Sequence, residues 1–248
     1  MRKNHGFITA SVSFAERRVI NMETYHDSSQ KAYEVITGTK AKEADRYAID
    51  VLKIPSLNLM ENASRSVQKY IAGKYPKEQV LVLSGVGNNG ADGLCIARLL
   101  IEENGIVPDV GIIGNLEHAS WEFLYQLSML KKVNGHIFYI SDKTVLPDAS
   151  VLVDAVFGIG LKTEIRENYR TLLLQAESKH YSHVIAVDIP SGINADTGEL
   201  LGAGLHAEAT ITFGRVKTGL LGGAGKDYAG EVILRDIGIP DEAYLKVQ

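Results

Sequence analysis

The chain has 248 residues, of which 45% are hydrophobic and 23% are charged, and this composition is typical of one globular α/β core. Its formal net charge of −4 and the lack of basic runs interleaved with aromatic residues disfavour nucleic-acid binding. Because no apolar run reaches the roughly 18 residues that span a bilayer, we predict a soluble chain with no membrane partner. The one cysteine, Cys95, excludes an internal disulfide and is predicted to pack in the core.

The first 35 residues differ from the rest of the chain. Among small and polar residues they contain basic ones that include Arg2, Lys3, Arg17 and Arg18. They lack the apolar segment of a secretory signal. We therefore predict an N-terminal extension over residues 1–35 and a single domain over residues 36–248. A cytoplasmic location is expected, with a mitochondrial presequence in the extension as the alternative.

Two helices are predicted ahead of the first strand of the domain. Between Thr39 and Lys53 the apolar residues recur at helical spacing, and Pro55 ends this segment. Ser56 then stands where an N-cap residue would, before a second helix with an apolar stripe.

Short apolar segments alternate with helical ones through the rest of the chain, which predicts an α/β domain with a mostly parallel central sheet and helices on both faces. The predicted strands lie near 81–83, 107–113, 137–140, 151–156, 184–189, 209–213 and 232–234. Ligands of such sheets collect at the carboxyl ends of the strands. Polar residues that end three of the strands are therefore candidate site residues, namely Asn88 with Asn89, Asp154, and Asp188 with Ser191.

The loop over residues 84–93 joins the first of these strands to a helix and is rich in glycine and amide side chains. Glycines admit close backbone approach, and a helix start offers unpaired N–H groups, so the loop suits a pyrophosphate or a carboxylate. Gly85, Gly87 and Gly90 satisfy the dinucleotide pattern G-x-G-x-x-G, but the acidic residue expected about 20 residues later is missing. A conventional nicotinamide-dependent oxidoreductase is therefore the weaker interpretation.

Asp154 follows three aliphatic residues and precedes a glycine turn. One interpretation is structural, with the carboxylate accepting N–H groups of that turn. The other is a cation site, because one carboxylate with neutral amide, hydroxyl and carbonyl oxygens suits a monovalent ion better than zinc or calcium. His180 and His183 have no partner at zinc spacing, so we expect no transition-metal site.

Asp188 ends an apolar strand and precedes a rigid turn that contains Pro190 and Ser191. A carboxylate at this place can serve in proton transfer, and Asp188 is our candidate acid/base, with a turn cap as the alternative. Ser191 is interpreted as an oxygen donor, because the turn is not the G-x-S-x-G elbow of a nucleophile. Asp92 is either a dipole partner of its helix or a ligand contact.

Four motifs occur in order along the chain: NLMENA at 58–63, GNNGADG at 87–93, VDAVFGIG at 153–160 and VDIPSG at 187–192. Together they resemble the NAD(P)H-hydrate epimerase family, and the likeness covers roughly residues 36–240. The resemblance implies a Rossmann-like three-layer sandwich with a mostly parallel central sheet. It also implies an isomerase that interconverts the R and S epimers of NADHX and NADPHX, the hydrated forms of NADH and NADPH, in nicotinamide nucleotide repair.

The resemblance also assigns site residues and partners. It implies one potassium ion per subunit, held by Asn89, Asp154 and Ser191. It implies substrate contacts at Asn88, Asn89, Gly90, Ala91, Asp92, Gly158, Ile159, Gly160, Leu161, Lys162, Thr163, Glu164 and Asp188. A homodimer is implied as well, together with a separate NAD(P)HX dehydratase that acts in the same pathway.

Three alternatives stay open at the level of the sequence. The family usually has a glycine where this chain has Ala91, and alanine there is strained if the backbone needs positive φ but harmless in the first turn of a helix. Lys217 is either a phosphate contact or a solvated or structural charge. A noncatalytic nucleotide- or protein-binding module on the same fold is the alternative function, and retention of the polar site residues argues against it.

Overall fold

The structure, a computed structural model, describes residues 24–26 and 32–247. The strands in these ranges are β1 (Thr24–His26), β2 (Ala32–Ile36), β3 (Val80–Ser84), β4 (Asp109–Ile112), β5 (His136–Tyr139), β6 (Val151–Ala155), β7 (His183–Val187), β8 (Ala209–Phe213), β9 (Val216–Lys217) and β10 (Glu231–Arg235). The helices are α1 (Gly38–Asp50), α2 (Ser56–Lys74), α3 (Asn88–Asn104), α4 (Trp121–Lys132), α5 (Glu167–Ser178), α6 (Gly225–Tyr228) and α7 (Asp241–Leu245). Short 3-10 turns occur at Leu116–His118 and Thr218–Leu220.

Seven of the described strands form one sheet in the order β10-β8-β7-β6-β3-β4-β5, and every neighbouring pair is parallel. The predicted parallel sheet is confirmed. From β3 the chain runs outward through β4 to β5, and it then returns to β6 on the other side of β3. The strand order reverses between β3 and β6, and ligands of open α/β sheets bind beside such a reversal, at the carboxyl ends of the strands.

The central strands are buried on both faces, which explains their continuous apolar sequences. Val80 and Val82 of β3 belong to the core that includes residues of α2, α3 and α4. Leu81 and Leu83 point the other way and belong to the core that includes residues of α5. Helices therefore cover both faces of the sheet, and the three-layer α/β sandwich is confirmed.

A small second sheet joins the start of the described chain to the main domain. β1 and β2 are antiparallel, and β2 pairs in parallel with β9, with Val35 beside Val216 and Ile36 beside Lys217. The predicted boundary between residues 35 and 36 falls within β2. The four basic residues on which the presequence interpretation rests lie outside the described ranges.

Two local predictions can be compared with the structure. The N-cap of α2 is Pro55, which forms no side-chain cap bond, and Ser56 is the first helical residue. The predicted N-cap at Ser56 is therefore wrong by one position, since a proline, with its fixed φ and no N–H to satisfy, also fits a helix start. Cys95 is buried in α3 as predicted, and burial raises the pKa of its thiol to about 12.

Across residues 24–26 and 32–247, no helix is long and apolar enough to cross a membrane.

Glu208, just before β8, binds three side chains at the amino ends of the strands. Its carboxylate lies 2.6 Å from Lys74 Nζ, 2.9 Å from the Tyr75 hydroxyl and 2.5 Å from His183 Nδ1. The rings of Tyr75 and His183 also stack, with centroids 4.3 Å apart. Burial alone would raise the pKa of Glu208, but these hydrogen bonds outweigh it and lower the pKa to about 2.

We expect Glu208→Gln to lower the free energy of unfolding by about 1 kcal/mol at neutral pH, a value reduced for the exposure of this side chain. Because the folded pKa lies below the usual 4.5, the stabilisation is present above about pH 4.5 and is lost as the pH falls toward about 2. Urea unfolding of both proteins at several pH values across this window checks the prediction. A difference that does not change with pH would assign Glu208 a packing role instead.

Candidate active site

A cavity of about 620 Å³ opens at the carboxyl ends of β3, β6 and β7. This volume lies within the range of roughly 300–1,000 Å³ that is usual for ligand pockets. Many of the predicted substrate contacts line it, namely Asn88, Asn89, Asp92, Gly158, Ile159, Gly160, Leu161 and Asp188. The other predicted contacts lie outside the lining, and these are Gly90, Ala91, Lys162, Thr163 and Glu164.

The glycine loop opens α3, as the sequence predicted. Gly87 is the N-cap of α3 and forms no side-chain cap bond, so the N–H groups of the first turn remain available at the cavity. Gly90 must lack a side chain, because a Cβ there would lie 1.8 Å from the carbonyl oxygen of Gly85. Ala91 is buried inside the first turn and does not have positive φ. The alanine is therefore harmless at this position.

Asp154, Ser191 and Asn89 are linked by hydrogen bonds at the cavity, which Asn89 lines and behind which Asp154 and Ser191 lie. Ser191 donates its backbone N–H to one carboxylate oxygen of Asp154 at 2.7 Å and its hydroxyl to the other at 2.5 Å. The Asn89 amide donates to the Phe157 carbonyl at 2.9 Å, and the Phe157 N–H donates to the Ser191 hydroxyl at 2.9 Å. The three predicted cation ligands thus belong to one hydrogen-bonded group.

Asp154 is a fully buried carboxyl group at the end of β6. Burial raises its pKa to about 6, although hydrogen bonds from Ser191 and from the Val156 N–H act in the opposite direction. Within the described part of the chain, Asp154 forms no ion pair. The turn after β6 contributes the Val156 N–H, at 3.4 Å, and the other hydrogen bonds of the Asp154 carboxylate come from Ser191.

Lys162 ties the turn after β6 to the start of α1. Its Nζ lies 2.6 Å from Asp196 Oδ2 and 3.1 Å from Thr39 Oγ1. Thr39 also donates its backbone N–H and its hydroxyl to Asp196, at 2.9 and 2.7 Å. These bonds fix one border of the cavity, because α1 supplies part of its lining.

Asp188 occupies an unusual backbone position directly after β7. Its φ is +67°, and the Ile189 N–H donates to the Val187 carbonyl at 2.9 Å, so Asp188 is the central residue of a γ-turn. Such a conformation costs of the order of 1–3 kcal/mol for a residue other than glycine, and it is often retained at functional sites. One carboxylate oxygen accepts hydrogen bonds from the Thr212 hydroxyl at 3.1 Å and the Phe213 N–H at 3.2 Å.

Lys217 is the ionic partner of Asp188. Its Nζ lies 2.5 Å from Asp188 Oδ1 and also donates to the Phe213 carbonyl at 2.8 Å and the Thr212 hydroxyl at 3.1 Å. The lysine side chain is 3% exposed and that of Asp188 is 12% exposed. Lys217 is therefore not a solvated charge, and both members of this buried ion pair line the cavity.

Further carboxyl groups surround the Asp188–Lys217 pair. Asp45 of α1 and Glu122 of α4 line the cavity, and the sequence analysis did not single them out. Burial raises the pKa of Asp45, and the charges of Asp188 and Glu122 raise it further. Burial raises the pKa of Asp92 well above its usual range, and the charges of Asp188, Asp45 and Glu122 add to the effect. Neither Asp45 nor Glu122 lies in a sequence motif. Their place in the cavity becomes visible only from the packing of α1 and α4.

His183 is bound to Glu208, as described above, and not to other histidines or cysteines. In the ranges that the structure covers, no group of three or more histidine, cysteine, aspartate or glutamate residues is arranged to hold a metal ion. The cation site proposed from the sequence has a different chemistry, since only one of its ligands is a carboxylate.

Comparison with known proteins agrees with these features. Residues 56–219 match the family described as YjeF-related protein N-terminus. The crystal structure of the yeast protein YNL200c has the same fold, with a TM-score of 0.70 and 20% identity over 82% of this chain and 88% of that chain.

Curated relatives are similar over most of their length. A protein of Limosilactobacillus fermentum is 41% identical over 205 residues, which are 82% of this chain and 96% of that protein. A protein of Leuconostoc mesenteroides is 38% identical over 217 residues, 86% of this chain and 96% of that protein. Both are named NAD(P)H-hydrate epimerase. The family that the motifs indicated is thus confirmed, and this chain belongs to the NAD(P)H-hydrate epimerases.

Proposed function

We propose that the protein interconverts the R and S epimers of NADHX and NADPHX, as its relatives are named to do. The observation that carries the proposal is the position of Asp188. This residue lines the cavity together with residues of the sequence motifs, and a strained turn and an ion pair hold it in place. The reaction is an isomerisation, and it leaves the redox state of the nicotinamide unchanged.

The proposed chemistry takes place at the carbon beside the ring nitrogen, where the hydrate bears its hydroxyl group. Protonation of the hydroxyl lets the nitrogen lone pair expel water and leaves a flat cationic centre. Return of water to the other face then gives the other epimer. Asp188 exchanges a proton with the departing or arriving oxygen, and its negative charge favours the cationic intermediate.

The start of α3 is proposed to hold the pyrophosphate of the substrate. Asn88 and Asn89 form its first turn and line the cavity, and the free N–H groups and positive end of the helix dipole attract an anion. Gly158 and Gly160 line the same cavity on the side of β6. A Cβ at Gly158 would lie 3.0 Å from Asn89 Oδ1, so the glycine leaves that amide oxygen accessible.

The oxygen atoms of Asn89, Asp154 and Ser191 fit a potassium ion. Carboxylate, hydroxyl and amide oxygens are hard donors, and one negative charge among them suits a monovalent cation. The burial of Asp154 without an ionic partner adds to this fit. Potassium would neutralise Asp154 and order the turns after β6 and β7. The exchange of protons with the substrate would be left to carboxyl groups of the chain.

We expect potassium chloride to stabilise the protein against unfolding, by about 1 kcal/mol once its concentration is about five times the Kd. Asp154→Asn keeps the size of the side chain but removes the charge, so the effect should disappear in this variant. Thermal melts at constant ionic strength, balanced with tetramethylammonium chloride, check this. Equal stabilisation of both proteins would remove Asp154 from the proposed cation site.

Two further parts of the proposal follow from the family, namely a homodimer and a separate NAD(P)HX dehydratase that consumes the S epimer. We also infer a cytoplasmic location, with mitochondrial targeting as the alternative. Analytical ultracentrifugation tests the homodimer, and a coupled assay with a dehydratase tests the second part.

The decisive experiment follows an R/S mixture of NADPHX by proton NMR after selective depletion of the S epimer. Enzyme should accelerate the return of the S epimer above the spontaneous rate, with potassium increasing the effect. Return at the spontaneous rate, combined with a rise in melting temperature on adding NADP, would instead indicate a noncatalytic binding module.

A further inference from the structure

Epimerisation places the departing hydroxyl and the arriving water on opposite faces of one ring carbon. A carboxyl group that is fixed in the protein reaches only one of these faces. Asp188 is fixed in this sense, because its γ-turn, its hydrogen bonds and Lys217 hold it in place. If the protein catalyses the proposed epimerisation, proton exchange on the other face falls to water or to a second group of the cavity.

Asp92 is a second carboxyl group that lines the same cavity. Its backbone carbonyl accepts a hydrogen bond from Ser64, but its carboxyl forms no hydrogen bond or ion pair with any residue of the described ranges. The next residue, Gly93, lets the helix backbone pack closely against β6, since a Cβ at Gly93 would lie 2.7 Å from Ala155 Cβ. The start of α3 is thus packed closely against β6, and the carboxyl group of Asp92 is free to bind a ligand.

Asp92 and Asp188 line the cavity from different elements. Asp188 follows β7, and Asp92 belongs to α3, the helix that follows β3. Helix α3 packs across β3 and β6 and also contacts β7. A ligand in this cavity is thus within reach of one carboxyl group from each of two separate elements.

The surroundings give the two groups opposite starting states. Burial and the charges of Asp188, Asp45 and Glu122 raise the pKa of Asp92, which favours the protonated form of this carboxyl group. Asp188, in contrast, forms an ion pair with Lys217. Neighbouring groups that differ in this way are typical of acid/base pairs.

We propose that Asp92 is the second catalytic acid/base, which serves the ring face opposite to that served by Asp188. In one direction Asp92 gives its proton to the hydroxyl, the C–O bond breaks, and the nitrogen lone pair forms the C=N bond as water leaves. Another water then attacks the opposite face, the nitrogen recovers its lone pair, and Asp188 takes the released proton. After the product leaves, proton exchange with solvent returns Asp188 and Asp92 to their starting states. The reverse reaction exchanges the two roles.

The first test is the variant Asp92→Asn, which keeps the shape of the side chain but cannot carry the proton. Its kcat should fall at least 100-fold, while NADP should raise its melting temperature as much as it does in the wild type. Asp45→Asn is the matched control, because it removes a carboxyl group from the same cavity on another helix, and its loss should be at least tenfold smaller. Turnover of Asp92→Asn within threefold of the wild type, or equal losses in both variants, would overturn the proposal.

The second test is oxygen exchange with H₂¹⁸O, followed by mass spectrometry on separated epimers and corrected for the spontaneous rate. With one acid/base left, a variant should release and readd water on a single face. Asp92→Asn and Asp188→Asn should therefore label opposite epimers without interconverting them. Labelling of the same epimer, or of neither, would contradict a role for Asp92. If the wild-type enzyme does not accelerate epimerisation, the proposed function itself fails, and this is a separate outcome.

Discussion

Asparagine in place of Asp188 should lower kcat for epimerisation by about 10²–10⁴-fold, the usual contribution of a positioned acid or base. The amide cannot exchange a proton with the reacting oxygen. Asparagine tolerates positive φ almost as well as aspartate does, so the γ-turn at φ +67° should persist. The measurement is the rate of S-epimer return by NMR, with NADP-dependent melting to show that the nucleotide still binds.

Asp148→Asn is the matched control for this variant. It makes the same chemical change at an exposed carboxylate that pairs with Lys179, outside the cavity lining. The control should keep full activity. If Asp188→Asn turned over at a near-normal rate, Asp188 would be a structural residue, and the acid/base would have to be sought among the other carboxyl groups of the cavity.

Methionine in place of Lys217 should lower the free energy of unfolding by about 3–5 kcal/mol, because it leaves a buried carboxylate without its partner. Methionine fills a similar volume, so lost packing contributes little to this change. The lysine also donates to the Phe213 carbonyl and the Thr212 hydroxyl, and both lose a donor in the variant. Guanidinium unfolding of the variant and the wild type measures the difference.

The double variant Asp188→Asn with Lys217→Met separates charge from packing. It removes both charges, so it should recover much of the stability that Lys217→Met alone loses. Arg170→Met breaks the exposed pair with Glu167 and should change stability by only about 0.5 kcal/mol or less. Additive losses at positions 188 and 217 would mean that the ion pair contributes nothing beyond its separate contacts.

The sequence was informative wherever local rules decide the structure. Alternating apolar and helical segments predicted the parallel sheet, and the polar residues after β3 and β7 marked the edge where the cavity lies. The glycines of the loop over residues 84–93 predicted the start of α3, because close backbone contacts such as that of Gly90 with Gly85 require them. The order of the four motifs along the chain then indicated the family.

Other features depend on contacts between distant segments, and local patterns do not contain them. Lys217 was left between several roles, because its partner Asp188 lies 29 positions away and reaches it only through the pairing of β7 and β8. Asp45 resembles any polar residue of an amphipathic helix until α1 is packed over the cavity. The N-cap of α2 was misplaced because Pro55 and Ser56 are both suited to a helix start.

The pairing of β2 with β9 has a consequence for the design of shortened forms of the protein. A chain begun at residue 37 would keep the seven-stranded sheet but lose the strand that lies beside Lys217. The exposed edge of β9 would then carry one member of the buried ion pair. A segment that looks dispensable from its composition is thus paired, at two backbone positions, with the strand that carries the lysine partner of Asp188.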